Sequence, residues 1–363
     1  MQFNSVIRYN LLSEEYRNDG KPMVELNEFQ RQSIAAFLSD NRITYSNVEH
    51  CLLCNNSEFD IIAKKDQYGI PLETAICNHC GLIFSRQQFS EDSAKVFYDK
   101  YYRKIYEGVP SPTLDHGFYR RLYAGKMVPK VPRFIGQDST VLELGCGGGW
   151  NLLPFLKKGI RHVGYDYDGY MIKFGREQYG LNLREGGLET AQADHVRADF
   201  VIISHVLEHI NDPITFMKGL STTLKEGGLV RITVPCLDCL GYFGGSGIGY
   251  RLGMALQNAH TYTFSEKTLR ELLLIAGFEP VVLVRGFCLA RISQKKLNFV
   301  SLRKNRAEDT RRLLESSERS FKAKNRICDF TPKKIRKTLH YLNLLARPRG
   351  VLLYLYTFNK TRV

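Results

Sequence analysis

Three groups of residues in this 363-residue chain have the types and spacing that could do chemistry. The first is Glu143-Leu-Gly-Cys-Gly-Gly-Gly149, followed by Asp166. Glycine lacks the Cβ that would keep a ligand away from the backbone N–H groups of a strand-to-helix loop. A dinucleotide loop needs a small residue where Trp150 and its bulky neighbours stand. Glu143, two positions before Gly145, repels a pyrophosphate and suits a cationic ligand. Asp166 falls about twenty residues after the loop, where a carboxylate ending the next strand can accept both hydroxyls of a ribose.

The second group is Cys51-x-x-Cys54 with Cys77-x-x-Cys80. Two such knuckles about two dozen residues apart match a four-thiolate zinc ribbon. Four thiolates leave the ion no open position, so its role would be structural. Gly81 permits the turn after the second knuckle. Cys236-Leu-Asp-Cys239 repeats the spacing without a second pair, and we expect plain thiols there. The third group is His205, His209 and His260. Imidazole titrates near neutrality, so each is a candidate general base, and His205 and His260 stand where strand end and pre-helix loop would face an acceptor.

Hydrophobic patterning supplies the elements that position these groups. Val141–Leu144, His162–Asp166, Leu181–Leu188, Asp199–Ser204 and Gly228–Val234 read as strands, with the last strands beginning at Val281–Val284. Helical patterns alternate with them, starting at Leu152–Leu156 after the glycine loop. That alternation gives a doubly wound parallel sheet with ligands at the carboxyl ends of its strands. Residues 1–45 look mostly helical, with Phe29, Ile34, Phe37 and Leu38 as packing positions. Residues 91–106 place Phe97, Tyr98, Tyr101, Tyr102, Ile105 and Tyr106 at helical spacing behind Ser90 as N-cap. Glycines between 241 and 253 suit a lid or a surface insertion. The predicted divisions are a helical segment 1–45, a zinc ribbon 46–90, a helical linker 91–135, a ligand-binding α/β domain 136–292 and a basic tail 293–363.

The net charge of +14 is unevenly placed: residues 285–363 hold +16 and the rest −2. The tail alone therefore implies an anionic surface. Ile335, Leu339, Leu342 and Leu345 share a helical face with bases around it, and Val351–Phe358 is too short to span a bilayer. A membrane surface and packing back onto the body are both open for it. The near-neutral body argues against nucleic acid as the main partner. There is no run of eighteen apolar residues and no signal-peptide pattern at the start, and nine cysteines suit metal and free thiols. These features point to the cytosol, with contact at the inner membrane as an option.

Taken together, Cys51/Cys54/Cys77/Cys80, the Tyr98–Tyr102 segment, the Glu143–Gly149 loop, Tyr165-Asp166, His205-Val-Leu-Glu-His209 and His260-Thr-Tyr-Thr-Phe-Ser265 resemble the class I S-adenosylmethionine-dependent methyltransferases. Within that class, the zinc-ribbon members that modify cell-surface polysaccharides and sugars are the nearest type. The resemblance spans residues 46–290. It implies a seven-stranded Rossmann-like sheet and S-adenosylmethionine as cofactor, with Glu143, Gly145, Gly147 and Gly149 around its aminocarboxypropyl end. Tyr165 and Asp166 would lie at the ribose. Leu188 would join the cofactor set beside Gly187, where the family often has a carboxylate against the adenine amine. It further implies Zn2+ on the four cysteines and a small-molecule or lipid-linked saccharide as methyl acceptor. An RNA methyltransferase using ribbon and tail to grip phosphates, and a non-catalytic cofactor-binding module, are the competing readings.

Overall fold

The computed structural model describes residues 6–110, 131–240, 251–293 and 306–329. Fourteen strands occur among them. In chain order they are β1 (Val6–Tyr9), β2 (Tyr45–Asn47), β3 (Glu58–Lys65), β4 (Pro71–Cys77), β5 (Ile83–Ser85), β6 (Gln87–Phe89) and β7 (Thr140–Leu144). The rest are β8 (Arg161–Asp166), β9 (Leu183–Glu185), β10 (Ala198–Ser204), β11 (Leu224–Thr233), β12 (Tyr262–Thr263), β13 (Phe278–Val284) and β14 (Phe287–Ile292).

Seven of these form one sheet in the order β9-β8-β7-β10-β11-β14-β13. All neighbours from β9 to β11 pair in parallel, and β14 runs antiparallel to both β11 and β13. The order reverses between β7 and β10, which places a crevice at their carboxyl ends. Strand β10, Ala198–Ser204, lies in the middle with Val201, Ile202 and Ile203 fully buried, as its unbroken apolar run requires. Helices Gly169–Tyr179, Leu188–Ala193, Pro213–Leu220 and Glu266–Ile275 connect the strands. The helix expected directly after the glycine loop is a single turn, Leu153–Leu156, with Pro154 in its first turn, where the missing N–H costs nothing, and left-handed Gly159 soon after it.

The N-terminal region departs from the expected organisation. Among the described residues 6–45 the helical part is one α-helix, Glu28–Leu38, capped by Asn27, and a 3-10 turn, Glu14–Tyr16, so the segment is not mostly helical, and β1 is extended and pairs with β3. The sheet of the cysteine module has the order β1-β3-β4-β5-β12. It thus takes one edge from before residue 45 and the other from β12, far downstream. The hydrophobic reason is visible in the core, where Phe59, Ala75, Leu82 and Phe84 pack in one cluster with Leu144, Val230, Phe264 and Leu272. The module has no closed core of its own, so it borrows the face of the neighbouring sheet.

Residues 91–106 are helical but not uniformly so. A wide turn, Tyr98–Tyr102, interrupts the α-helical pieces Glu91–Phe97 and Arg103–Tyr106. In the tail, the helix Arg306–Asp329 packs back onto the body through its first half. Arg311 Nη2 donates to Asp60 Oδ2 at 2.8 Å and Asn78 Oδ1 at 2.7 Å, Tyr16 Oη donates to Glu318 Oε1 at 2.5 Å, and Arg306 pairs with Glu271. The basic helical face expected around Ile335–Leu345, the apolar run 351–358 and most of the glycine-rich stretch 241–253 lie outside the described residues. No helix of the described residues is long and apolar enough to cross a membrane.

Candidate functional site

Strand β7 ends in the glycine loop because Gly145 turns the chain with φ +66°, and a Cβ there would strike Val206 Cγ2. Only glycine takes this conformation and this approach without strain. The contact also seats the His205–His209 segment directly against the loop. Gly147 and Gly149 have positive φ as well, at +50° and +78°. Asp166, at the end of β8, accepts from the Gly147 N–H at 2.7 Å through Oδ2 and from the Asp168 N–H at 2.9 Å through Oδ1. The structure therefore brings the loop and the acid together.

Glu143 is 1 % exposed, and Asn151 Nδ2 donates to its Oε1 at 2.6 Å. Its Oε2 is buried with no partner among the described residues. Burial pushes its carboxyl up to about 8, against the Asn151 hydrogen bond and the nearby Arg231 charge. A buried acceptor without a donor is costly. A cationic group in the loop would supply what Oε2 lacks. Burial likewise raises Asp166, and its two backbone N–H donors oppose this. Asn151 was not singled out in the sequence, although its place two residues past the loop was a usable signal.

The Tyr165 ring turns away from the loop. Tyr165 is fully buried in the core, and its hydroxyl donates to Asp194 Oδ2 at 2.6 Å. Side chains alternate along a strand, so Asp166 and Tyr165 cannot face the same way; the ring of Tyr165 is packing and does not line the loop. Leu188 begins the helix Leu188–Ala193 and packs partly buried against the main core. Glu189 folds back to accept from the Gly187 N–H at 3.1 Å and from Tyr167 Oη at 2.7 Å.

The three histidines converge, and Glu208, passed over in the sequence except as a neighbour, is what they share. His205 has φ +57°, a left-handed conformation that a side chain disfavours, and its N–H is held by Thr233 O at 2.8 Å. Its ring is half exposed, with Nδ1 3.2 Å from Glu208 Oε1. His209 Nε2 lies 4.0 Å from the same oxygen, and the His209 and His260 ring centroids are 4.9 Å apart. Burial would raise Glu208, but the hydrogen bond from His205 and the surrounding imidazoles pull its carboxyl below the ordinary value. Burial and the neighbouring His209 push His260 down to about 3, and burial depresses His209. Both buried imidazoles are therefore neutral at physiological pH.

Aromatic rings continue the site outward. Tyr98 Oη is 3.0 Å from His209 Nδ1, the Tyr98 and Tyr102 centroids are 5.2 Å apart, and Tyr102 stacks on Tyr106 at 5.4 Å with planes within 6°. The wide turn at Tyr98–Tyr102 re-aims these side chains, as such turns do at functional positions.

The four cysteines also come together. Cys51 Sγ is 3.5 Å from Cys80 Sγ and Cys54 Sγ is 3.4 Å from Cys77 Sγ, so no disulfide forms. Four sulfurs around one zinc at about 2.3 Å stand roughly 3.8 Å apart. The donor set therefore fits such an ion. The knuckles are built alike. The Asn55 N–H donates to Cys51 O at 2.8 Å and the Gly81 N–H to Cys77 O at 3.0 Å, with φ +57° and +76° respectively. Hydrogen bonding among the sulfurs drives Cys77 far below the ordinary thiol value and Cys54 to about 7, and holds Cys51 and Cys80 up. Cys236 and Cys239 instead donate separately, to Asp238 Oδ2 and to Arg285 O, each at 3.3 Å.

Known proteins similar to this chain are methyltransferases. Residues 118–283 match the family model described as a methyltransferase domain. That stretch, a little under half of the chain, is thus similar to a methyltransferase domain. A probable S-adenosylmethionine-dependent methyltransferase of Mycolicibacterium smegmatis is 29% identical over 150 residues, covering 40% of this chain and 54% of that protein. A ubiquinone biosynthesis O-methyltransferase of Cereibacter sphaeroides is 35% identical over 95 residues, 25% of this chain and 38% of the relative. The chain thus spans about half or less of the length of these curated relatives. Among solved structures, a SAM-dependent methyltransferase from Archaeoglobus fulgidus aligns with 20% identity and a TM-score of 0.36, covering 56% of this chain and 86% of that one.

Proposed function

We propose that the protein transfers the methyl group of S-adenosylmethionine to a hydroxyl of a nucleotide- or lipid-linked saccharide. The reading rests above all on one observation. The glycine loop with its orphaned Glu143 oxygen lies directly against a segment where His205 is held on a buried, ionised Glu208. The sulfonium supplies an activated methyl, so the protein's part is alignment and removal of a proton. Glu143 takes the cationic amino-acid end, and Asp166 takes the ribose. His205 is the base: Glu208 accepts its Nδ1–H, which leaves Nε2 free, and its ring alone among the three is half exposed. A hydroxyl acceptor accords with the O-methyltransferase names of several relatives. The ladder of Tyr98, Tyr102 and Tyr106 offers flat faces on which a sugar ring can pack. Zinc on the four cysteines would be structural, and the tail beyond residue 330 would bring the enzyme to a membrane surface.

Replacing His205 with glutamine is expected to lower kcat by about 10²–10⁴ while cofactor affinity stays unchanged. Unchanged turnover would remove His205 from the reaction, and calorimetry together with steady-state rates reads both quantities.

Glu143 gives a pH test. Its folded value of about 8 exceeds the ordinary 4.5, so between these the folded chain holds a proton that the unfolded chain has released. Stability from this group is therefore full below the ordinary value and falls as pH rises toward 8. A cationic ligand favours the carboxylate, and its binding releases that proton. Affinity for S-adenosylmethionine should tighten by about tenfold from about pH 6 to about pH 8, and Glu143→Gln should flatten the dependence. An equally steep dependence in the variant would place the titrating group elsewhere.

A further inference from the structure

Glu208, His209 and His260 form a second cluster with the properties of a ligand set. Each contributes one donor atom, and these atoms all lie within 4.8 Å of one another. The hydrogen-bond partners decide which nitrogen each histidine presents. His209 Nδ1 faces Ala259 O at 2.9 Å and His260 Nδ1 faces Ala255 O at 3.1 Å. A carbonyl only accepts, so each Nδ1 bears the hydrogen and each Nε2 is left as a lone pair. Tying the outer N–H of an imidazole to a backbone carbonyl is how proteins fix histidines that ligate metals. Gln257 Nε2, 2.7 Å from His260 Nε2, and Tyr98 Oη, beside His209 Nδ1, complete the polar surroundings.

The independent observation is Glu208 itself. Its side chain is 1 % exposed, and while Oε1 meets His205, Oε2 is buried with no partner among the described residues. The Glu208 backbone is pinned as well, since the Thr261 N–H donates to its carbonyl at 2.8 Å and so binds the His260 loop to the Leu207–His209 turn. The His260 Nε2 lone pair accepts from Gln257 Nε2 at 2.7 Å, whereas the buried Glu208 Oε2, beside it and the His209 Nε2 lone pair, has no donor among the described residues. A cation would satisfy that oxygen directly, with His260 turning from the Gln257 amide to join it.

We propose that Glu208, His209 and His260 bind a divalent transition-metal cation, such as Mn2+, Co2+ or Zn2+, at a site distinct from the four cysteines. Two imidazoles and one carboxylate suit these metals and leave positions open. An acceptor oxygen would occupy one of the open positions, and this second statement rests on the methyltransferase reading. His205 remains outside the ligand set, with its Nε2 free to take the acceptor proton.

Mn2+ tests this on the full chain already loaded with zinc, because manganese is weakly thiophilic and paramagnetic. Titration followed by electron paramagnetic resonance should show one Mn2+ bound per chain. Glu208→Gln and His260→Asn should each weaken it by about tenfold or more. S-adenosylmethionine affinity, measured on the same samples, reads whether each variant is folded, and His209→Asn serves if one of the two is not. Absence of bound Mn2+ at about 1 mM, or equal affinity in the folded variants, overturns the proposal. Mn2+ bound by a chain that fails to bind S-adenosylmethionine would leave the cation site standing and sink the methyltransferase reading.

Discussion

Cys77→Ser is expected to strip the zinc, unfold the cysteine module and reduce methyl transfer by at least about 100-fold. Structural zinc contributes roughly 10 kcal/mol or more to the folding of a small module, comparable to the whole stability of a domain. Cys77 is fully buried and ends β4, opposite Phe59 of β3, so the loss begins in the centre of the sheet. The consequence reaches the site through β12. Strand β12, Tyr262–Thr263, pairs with β5 of the module two residues after His260. Buried Asp66, at the turn between β3 and β4, also accepts from the Asn258 N–H and side chain at 3.3 Å each. The module therefore holds the His260 loop in place. Metal analysis, thermal unfolding and turnover measured on one preparation would check the chain of effects. Retained activity in a zinc-free variant would show that the module is not a scaffold for the site.

Asp166→Ala is expected to lower affinity for S-adenosylmethionine by about 100-fold or more, with little loss of thermal stability. The carboxylate accepts the Gly147 and Asp168 N–H groups and so shapes the loop as well as offering its remaining lone pairs to a ribose. Hydrogen bonds to a charged acceptor contribute about 1.5–3 kcal/mol each, and two such losses reach that factor. Because Asp166 is raised by burial, its replacement removes a group that is itself costly in the unliganded fold. Calorimetric titration beside a melting curve separates the two quantities. Normal binding by the variant would refute the cofactor assignment.

Much of this arrangement is written locally in the chain. The glycine loop, the acid at the end of β8 and the apolar run of β10 lie in single short segments whose periodicity or composition fixes their form, and their alternation points to a parallel doubly wound sheet. Seven strands were implied by the family resemblance, and the order and the antiparallel β14 are seen only in the fold. The cysteine knuckles are equally local. What the sequence withheld depends on contacts between distant segments. Nothing in Val6–Tyr9 or Tyr262–Thr263 announces that they flank the cysteine hairpin, because short edge strands are selected by the surface they meet. Tyr165 was misplaced because neighbouring strand residues face opposite sides, and the acid beside it drew attention to the wrong ring. Glu208 was hidden for another reason. Acids on a loop are ordinarily solvated, and only the fold shows this one buried among three histidines.

The measurement that bears most directly on the central claim is transfer of labelled methyl from S-adenosylmethionine by the purified full chain into a cell extract, with Asp166→Ala as the blank. The products are separated into lipid-extractable, small aqueous and nucleic-acid pools. The account predicts label in the lipid-linked or nucleotide-linked saccharide pool, dependent on Asp166. Label in nucleic acid, or none above the blank, would contradict it.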